Sequence, residues 1–321
     1  WRYLAPFCAE QLAQAESWEA LKRLSQHLLG HGFKLQYQLF FSSDTQQGVE
    51  QRLPDWFWGS MLAKLPATKS ADAIKYVNQF GRDNTQSPSL WAGAGLLEMF
   101  GEWMDNFAQQ MQEFAANCDV VFLGLGPDGE ACFPWGERDA QAIYQSFSPT
   151  ALAALAADME QQYGSKQAWL SLWELTGKQP WPQQLSEKLV KCYQHKTSST
   201  CFKEFNLWYA QNWQQFVGRF LASAQASFSK HWAHSKLALN IPLPGMSASD
   251  HPWLACLTGL NPQPWLDRSQ LLDYQLAQLS YWNKQAQNRL MIVASGAESS
   301  HAARQNQALL NALKELAIPA L

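Results

Sequence analysis

Five times along the chain a helical stretch runs directly into a short strand-like one, and this alternation limits the possible folds more than any other feature. Apolar residues spaced three and four apart mark "AESWEALKRLSQHLLGHG" as an amphipathic helix ending at Gly30 or Gly32, and "FKLQYQLFFSS" follows with strand-like content. The pattern returns as the long helix "LWAGAGLLEMFGEWMDNFAQQMQEFAANC" before "DVVFLGLG", and as "LWYAQNWQQFVGRFLASAQASFSKHW" before "KLALNIPLP". It returns again as "LLDYQLAQLSYWNKQAQN" before "RLMIVASG" and as "SSHAARQNQALLNALKEL" before "AIPAL". Strands as continuously apolar as "DVVFLGLG" are those of a parallel sheet covered by helices, and the alternation predicts an α/β fold of that kind.

Two architectures satisfy this pattern, an open doubly wound sheet and a closed (β/α)8 barrel of the TIM type. The open sheet announces a nucleotide through a glycine fingerprint that opens a helix. Here "GLGPDGE" lacks the G-x-G-x-x-G register and leads into "ACFPWGE", a poor helix start, so the barrel is the expectation. In a barrel the C-terminal ends of the strands carry the chemistry, which is where Glu130, "FFSSD" and "VASGAES" fall. The chain is expected to form a single domain over 1–321, with a helical insertion around 145–200 on that same face.

Composition excludes other classes. A net charge of -3 leaves no basic stripe for nucleic acid, and no apolar run reaches the roughly 18 residues of a membrane helix. Six cysteines show neither CxxC nor zinc spacing, which argues against a structural metal; Cys192 and Cys201 bracket a polar loop that a disulfide would close in an oxidising compartment, but free buried thiols are the preferred reading. Sixteen tryptophans are many for this length, and those among polar neighbours, Trp56 and Trp58 in "PDWFWGS" and Trp135 in "CFPWGE", are expected to be exposed in part. Flat amphipathic rings in a cleft suit stacking on sugars, whereas buried ones need only a partner for the indole N–H. His231 and His234, three apart, lack an acidic third ligand nearby and read as surface residues. Ser247, Asp250 and His251 have the residue types of a triad without the separation in sequence that would mark one.

The segment "GLGPDGEACFP" resembles the G-x-G-P-x-G-E-L-R-Y-P loop of the β-amylases, glycoside hydrolase family 14. The likeness extends to "GFKLQYQLFFSSDTQQGVE", "YVNQFGRDNTQSPSLWAGAG", "QQYGSKQAWLSLW", "FNLWYAQNWQQFVGRFLASAQASF", "KLALNIPLPGM" and "RLMIVASGAES", which follow the order of the bacterial type along nearly the whole chain. The resemblance implies that Glu130 is the general acid of a glycosidase acting on an oligosaccharide or polysaccharide, with no cofactor and no metal. The physical reason is independent of the family: a glycosidic oxygen leaves poorly unless protonated, and a partly desolvated carboxyl at a strand end keeps its proton near neutral pH.

Other matched positions carry changed chemistry. The family's sugar-contacting histidine falls on Ser42 and its substrate lysine on Asn240, while a lid-loop aspartate matches Glu50 and an inner-loop threonine matches Ser295. With Trp135 and Glu298 these residues are the implied substrate contacts. The resemblance places the catalytic base in a G-E-N-A-L motif on the seventh strand, which is barely begun at Leu321, so the barrel is expected to be cropped at both ends and Glu298 is not the base. Losing donors at Ser42 and Asn240 alters selectivity, so an α-glucan or a related glycan is the expected substrate. Three readings stay open: a β-amylase-like hydrolase, a non-catalytic carbohydrate-binding relative, and another barrel glycosidase of the β-galactosidase kind. An Asn-Glu pair would mark the last, and the chain has Gly129-Glu130. The resemblance suggests a secreted or periplasmic location; the compartment is not read from the opening residues "WRYLAPF".

Overall fold

A computed structural model describes residues 15–42, 53, 55–126, 129–134, 136–138, 141–242, 252–295, 311, 313–314 and 316–319. Helix α1 (Ala15–Gly30) buries Trp18, Leu21 and Ser25, three to four residues apart, and Gly32 at φ +80° releases the chain into strand β1 (Leu35–Phe40). Helix α2 (Asp55–Lys64) follows, then the antiparallel pair β2 (Lys75–Val77) and β3 (Asp83–Pro88). Helix α3 (Ala94–Gln110) leads to β4 (Cys118–Gly124). A small hairpin of β5 (Gly136–Arg138) and β6 (Gln141–Ile143) precedes helices α4 (Pro149–Tyr163), α5 (Lys166–Leu172), α6 (Trp181–His195) and α7 (Thr200–Ser229). Strand β7 (Lys236–Pro242), the short helix α8 (Pro252–Leu257), helix α9 (Arg268–Gln285) and β8 (Leu290–Ser295) complete the described order.

The main sheet runs β1-β4-β7-β8, with every neighbouring pair parallel. Spatial order therefore equals chain order, without the reversal that defines a doubly wound sheet, and right-handed crossovers then place the helices on one face. Packing agrees. Val121, Leu123, Leu237, Leu239, Leu290 and Ile292 join the helices in one large core, whereas Val120, Ala238 and Met291 form a separate small cluster with Phe122 and Val293. Alternate residues of the same strands thus serve two compartments, the helical layer and the inner face of a curving sheet. The Ile292 N–H donates to the Pro319 carbonyl at 2.9 Å, which carries the pairing past β8 into the "AIPAL" segment. The topology is the alternating parallel β/α winding of a TIM-barrel-like fold, with four strands in the main sheet among the described residues.

Several expectations change in detail. The helix foreseen from 90 to 118 is broken: Gly93 at φ +68° separates a 3-10 turn, Leu90–Ala92, from α3, and a second 3-10 segment, Gln112–Asn117, tightens the entry to β4. Helix α7 begins at Thr200, well before the apolar stretch starting at Leu207, because Ser199 caps it by accepting from the Phe202 N–H. Of the last expected helix, residues 311, 313 and 314 are described and helical.

Trp58 is buried rather than exposed, its indole N–H donating to the Leu53 carbonyl at 3.1 Å, and Trp56 packs half-buried against the core. Trp91, Trp208, Trp213, Trp232 and Trp282 are likewise buried with their N–H groups donated to Ser146, Asp158, Ala131, Ala108 and Gln214. These rings fill the large core shared by helices and sheet, where short aliphatic residues would leave space open. The Cys192–Cys201 disulfide is not formed: both thiols are free and buried, with Cys192 Sγ 3.5 Å from Ser199 Oγ. His231 and His234 are exposed in the turn after α7. Ser247, Asp250 and His251 lie outside the described residues.

Candidate functional site

Beyond the C-terminal end of β4 the chain folds back on itself in a tight turn. The Gly126 N–H donates to the Glu130 carbonyl at 2.7 Å, and the Gly129 N–H donates to the Gly126 carbonyl at 3.0 Å. A Cβ on Gly126 would stand 2.7 Å from the Glu130 oxygen and 2.9 Å from that of Cys132, so no side chain fits. Gly129 adopts φ +76°, and a Cβ there would meet Phe40 Cε1 at 2.7 Å. The glycines are thus required by the closeness of the loop to itself and to β1.

This turn presents Glu130 at the strand ends, and three other elements fix its backbone. Glu130 forms an isolated parallel bridge with Asn240 of β7, through which the Ala131 N–H donates to the Asn240 carbonyl at 2.7 Å. From α7, the Trp213 indole donates to the Ala131 carbonyl at 3.1 Å. From just past β1, the Ser42 hydroxyl donates to the Gly126 carbonyl. Phe133 anchors the exit, its ring stacked on Tyr209 at 3.8 Å and its N–H donated to the Thr258 carbonyl at 3.0 Å. Burial pushes the Tyr76 and Tyr209 hydroxyls well above the ordinary phenol range, so these rings around Phe133 stay neutral.

The Glu130 side chain is half-buried, and the buried Cys132 thiol donates to its Oε2 at 3.8 Å. On β7 the buried Asn240 Oδ1 finds no hydrogen-bond partner among the described residues. An unmatched acceptor inside a folded protein is costly unless something later satisfies it. Together these groups set a carboxyl, a thiol beside it and, on the adjoining strand, an amide oxygen with no partner among the described residues at one end of the sheet. Among the described residues no cluster of three or more His, Cys, Asp or Glu is arranged to hold a metal ion.

The structure brings Glu130, Asn240 and Ser42 to one end of the sheet. Ser42 is fully buried and its proton is committed to Gly126. Ser295 closes β8 in register with Pro242, two residues beyond Asn240. Glu50, Trp135 and Glu298 lie outside the described residues. Sequence reasoning missed Cys132 and Trp213. The spacing of two between Glu130 and Cys132 is a usable signal, since alternate residues of an extended segment share a side; Trp213, 82 residues from Ala131, gives none.

Strands wound in chain order, helices on one face and polar groups gathered past the strand ends define the class of (β/α)-barrel-like proteins. Comparison with known sequences supplies the family: a model of glycosyl hydrolase family 14 matches residues 9–241, and the chain belongs to that family. It is 28% identical to the β-amylase of Niallia circulans over 121 residues, which is 35% of this chain and 19% of that one. With the thermophilic β-amylase of Thermoanaerobacterium thermosulfurigenes it shares 22% identity over 128 residues, 38% of this chain and 21% of the other. The chain therefore matches about a fifth of the length of these curated relatives. The solved catalytic domain of β-amylase from Paenibacillus polymyxa superposes with a TM-score of 0.64 at 14% identity, over 94% of this chain and 79% of that one, and bears out the TIM-barrel-like fold.

Proposed function

We propose that the protein is a β-amylase-like glycoside hydrolase that cleaves an α-glucan or a related oligosaccharide, with Glu130 protonating the departing glycosidic oxygen. The observation that carries this reading is the mounting of Glu130: a half-buried carboxyl at a strand's C-terminal end, its backbone fixed by β1, β7 and α7. A rigid mount suits proton transfer, which needs the acid within hydrogen-bond reach of the leaving oxygen. Cleavage with inversion also takes a second carboxylate, roughly 6.5 to 9.5 Å away, to activate water from the opposite side.

Asn240 supplies an acceptor to a sugar hydroxyl, and Glu50, Trp135, Ser295 and Glu298 contribute further contacts around it. The strands close into an eight-stranded barrel forming one domain, with the helices between 149 and 195 standing over its catalytic face. Family membership and the relatives' printed activity support the reading. The test is Glu130→Gln in the full-length protein: binding of malto-oligosaccharides persists, while turnover of maltopentaose falls about 100-fold or more. Turnover at the wild-type rate refutes acid catalysis by Glu130.

A further inference from the structure

The inner face of β1 reads Gln36, Gln38, Phe40 by parity, and Ser42 is next in that series. Pairing with β4 continues past the strand's formal end, since the Phe41 N–H donates to the Gly124 carbonyl at 2.8 Å. Ser42 is thereby carried alongside the glycine turn, wholly buried, with its hydroxyl donated to the Gly126 carbonyl. Gly126 is the hub of the turn: its N–H donates to the Glu130 carbonyl, and its own carbonyl also receives the Gly129 N–H.

We propose that Ser42 is a positioning residue for Glu130, acting through Gly126 and without touching the sugar. This rests on the assignment of Glu130 as general acid. The hydrogen bonds described within the turn join Gly126 to Gly129 and Glu130, so they stiffen it without orienting it on the sheet. Ala131 ties its far end to β7. The Ser42 hydroxyl supplies a side-chain hydrogen bond from the end of β1 to the turn's start, and Ser42→Ala removes it. Burial of the hydroxyl also argues against a role in direct sugar contact, because a group closed off from solvent and already bonded has no proton to offer.

The consequence is specific. A displaced acid fails to protonate the leaving oxygen, and displacement of about 1 Å costs on the order of 100-fold in rate. Substrates whose leaving group departs without a proton escape that loss. Ser42→Ala, Ser42→Thr and Glu130→Gln are therefore compared in the full-length protein on maltopentaose and on α-maltosyl fluoride. The expected result is a 10- to 100-fold fall in kcat on maltopentaose for Ser42→Ala with KM nearly unchanged, little loss on the fluoride, and recovery in Ser42→Thr, which keeps the hydroxyl. Hydrogen exchange at the Gly129 amide should accelerate in Ser42→Ala, as its acceptor peptide loosens. Equal losses on both substrates in Ser42→Ala make the residue merely structural and overturn the proposal. Wild-type kcat in Ser42→Ala beside a crippled Glu130→Gln also overturns it and leaves the acid assignment standing, whereas an active Glu130→Gln removes the assignment itself.

Discussion

Adding one methyl group to Gly126 tests whether the acid's turn is as tightly closed as its geometry implies. The new Cβ would lie 2.7 Å from the Glu130 carbonyl oxygen and 2.9 Å from that of Cys132, both backbone atoms with no rotamer to relieve the contact. The turn must open, breaking the 2.7 Å bond from the Gly126 N–H to Glu130. Overpacking of this kind costs about 1 to 3 kcal/mol, and a backbone hydrogen bond lost at a buried site adds about 1 kcal/mol. With an unfolding entropy near 2 cal/mol/K per residue, a chain of this size loses roughly 3 to 6 °C of Tm for about 2 to 4 kcal/mol. Gly164→Ala is the control. Gly164 caps α4 at φ +81° with nothing within 4 Å of the added atom, so it carries backbone strain of about 1 to 2 kcal/mol and no clash. Calorimetry should show both variants destabilised, Gly126→Ala the more, while kcat on maltopentaose falls in Gly126→Ala alone. A Gly126→Ala variant with wild-type Tm and kcat would refute the closed turn and the mounting of Glu130 built on it.

Trp213→Phe keeps most of the ring volume but removes the N–H donated to Ala131 and leaves that buried carbonyl unmatched; chemical denaturation should show a loss of about 1 to 3 kcal/mol, with a fall in turnover as the acid loosens. Stability should also decline at alkaline pH, because burial pushes the Cys118 thiol and the Tyr274 hydroxyl each up to about 12. The unfolded thiol and phenol ionise from about pH 9 and 10, so between those values and pH 12 the folded state binds more protons, and each group lowers stability by about 1.4 kcal/mol per pH unit. Urea titrations between pH 8 and 12 should show that decline beginning near pH 9, and a flat profile would contradict the burial.

The alternation of helix and strand was readable from residue order because apolar periodicity is local: a helix or strand declares its buried face through its own spacing, whatever it packs against. The glycine turn and Glu130 were equally plain, since a run of small residues ending on an acid after an apolar strand is a local pattern. Which residues meet that acid was not. The fold-back of the turn after β4 sets Glu130 beside Asn240 of β7, and the crossing of α7 delivers Trp213 to Ala131. Neither pairing is written in any window of the chain.

The same limit explains the tryptophans and the cysteines. Polar neighbours suggested that Trp58 faces solvent, yet the packing of α2 turns it inward onto Leu53. Closeness in sequence left a bridge between Cys192 and Cys201 open beside the preferred reading of free thiols, and only the burial of one in α6 and the other in the first turn of α7 decided for two separate thiols. Ser42 shows the division most plainly. Residue order fixed that a small hydroxyl stands at the end of β1; only the approach of the neighbouring turn decided that its proton belongs to Gly126, because a hydrogen bond depends on where two distant segments come to lie.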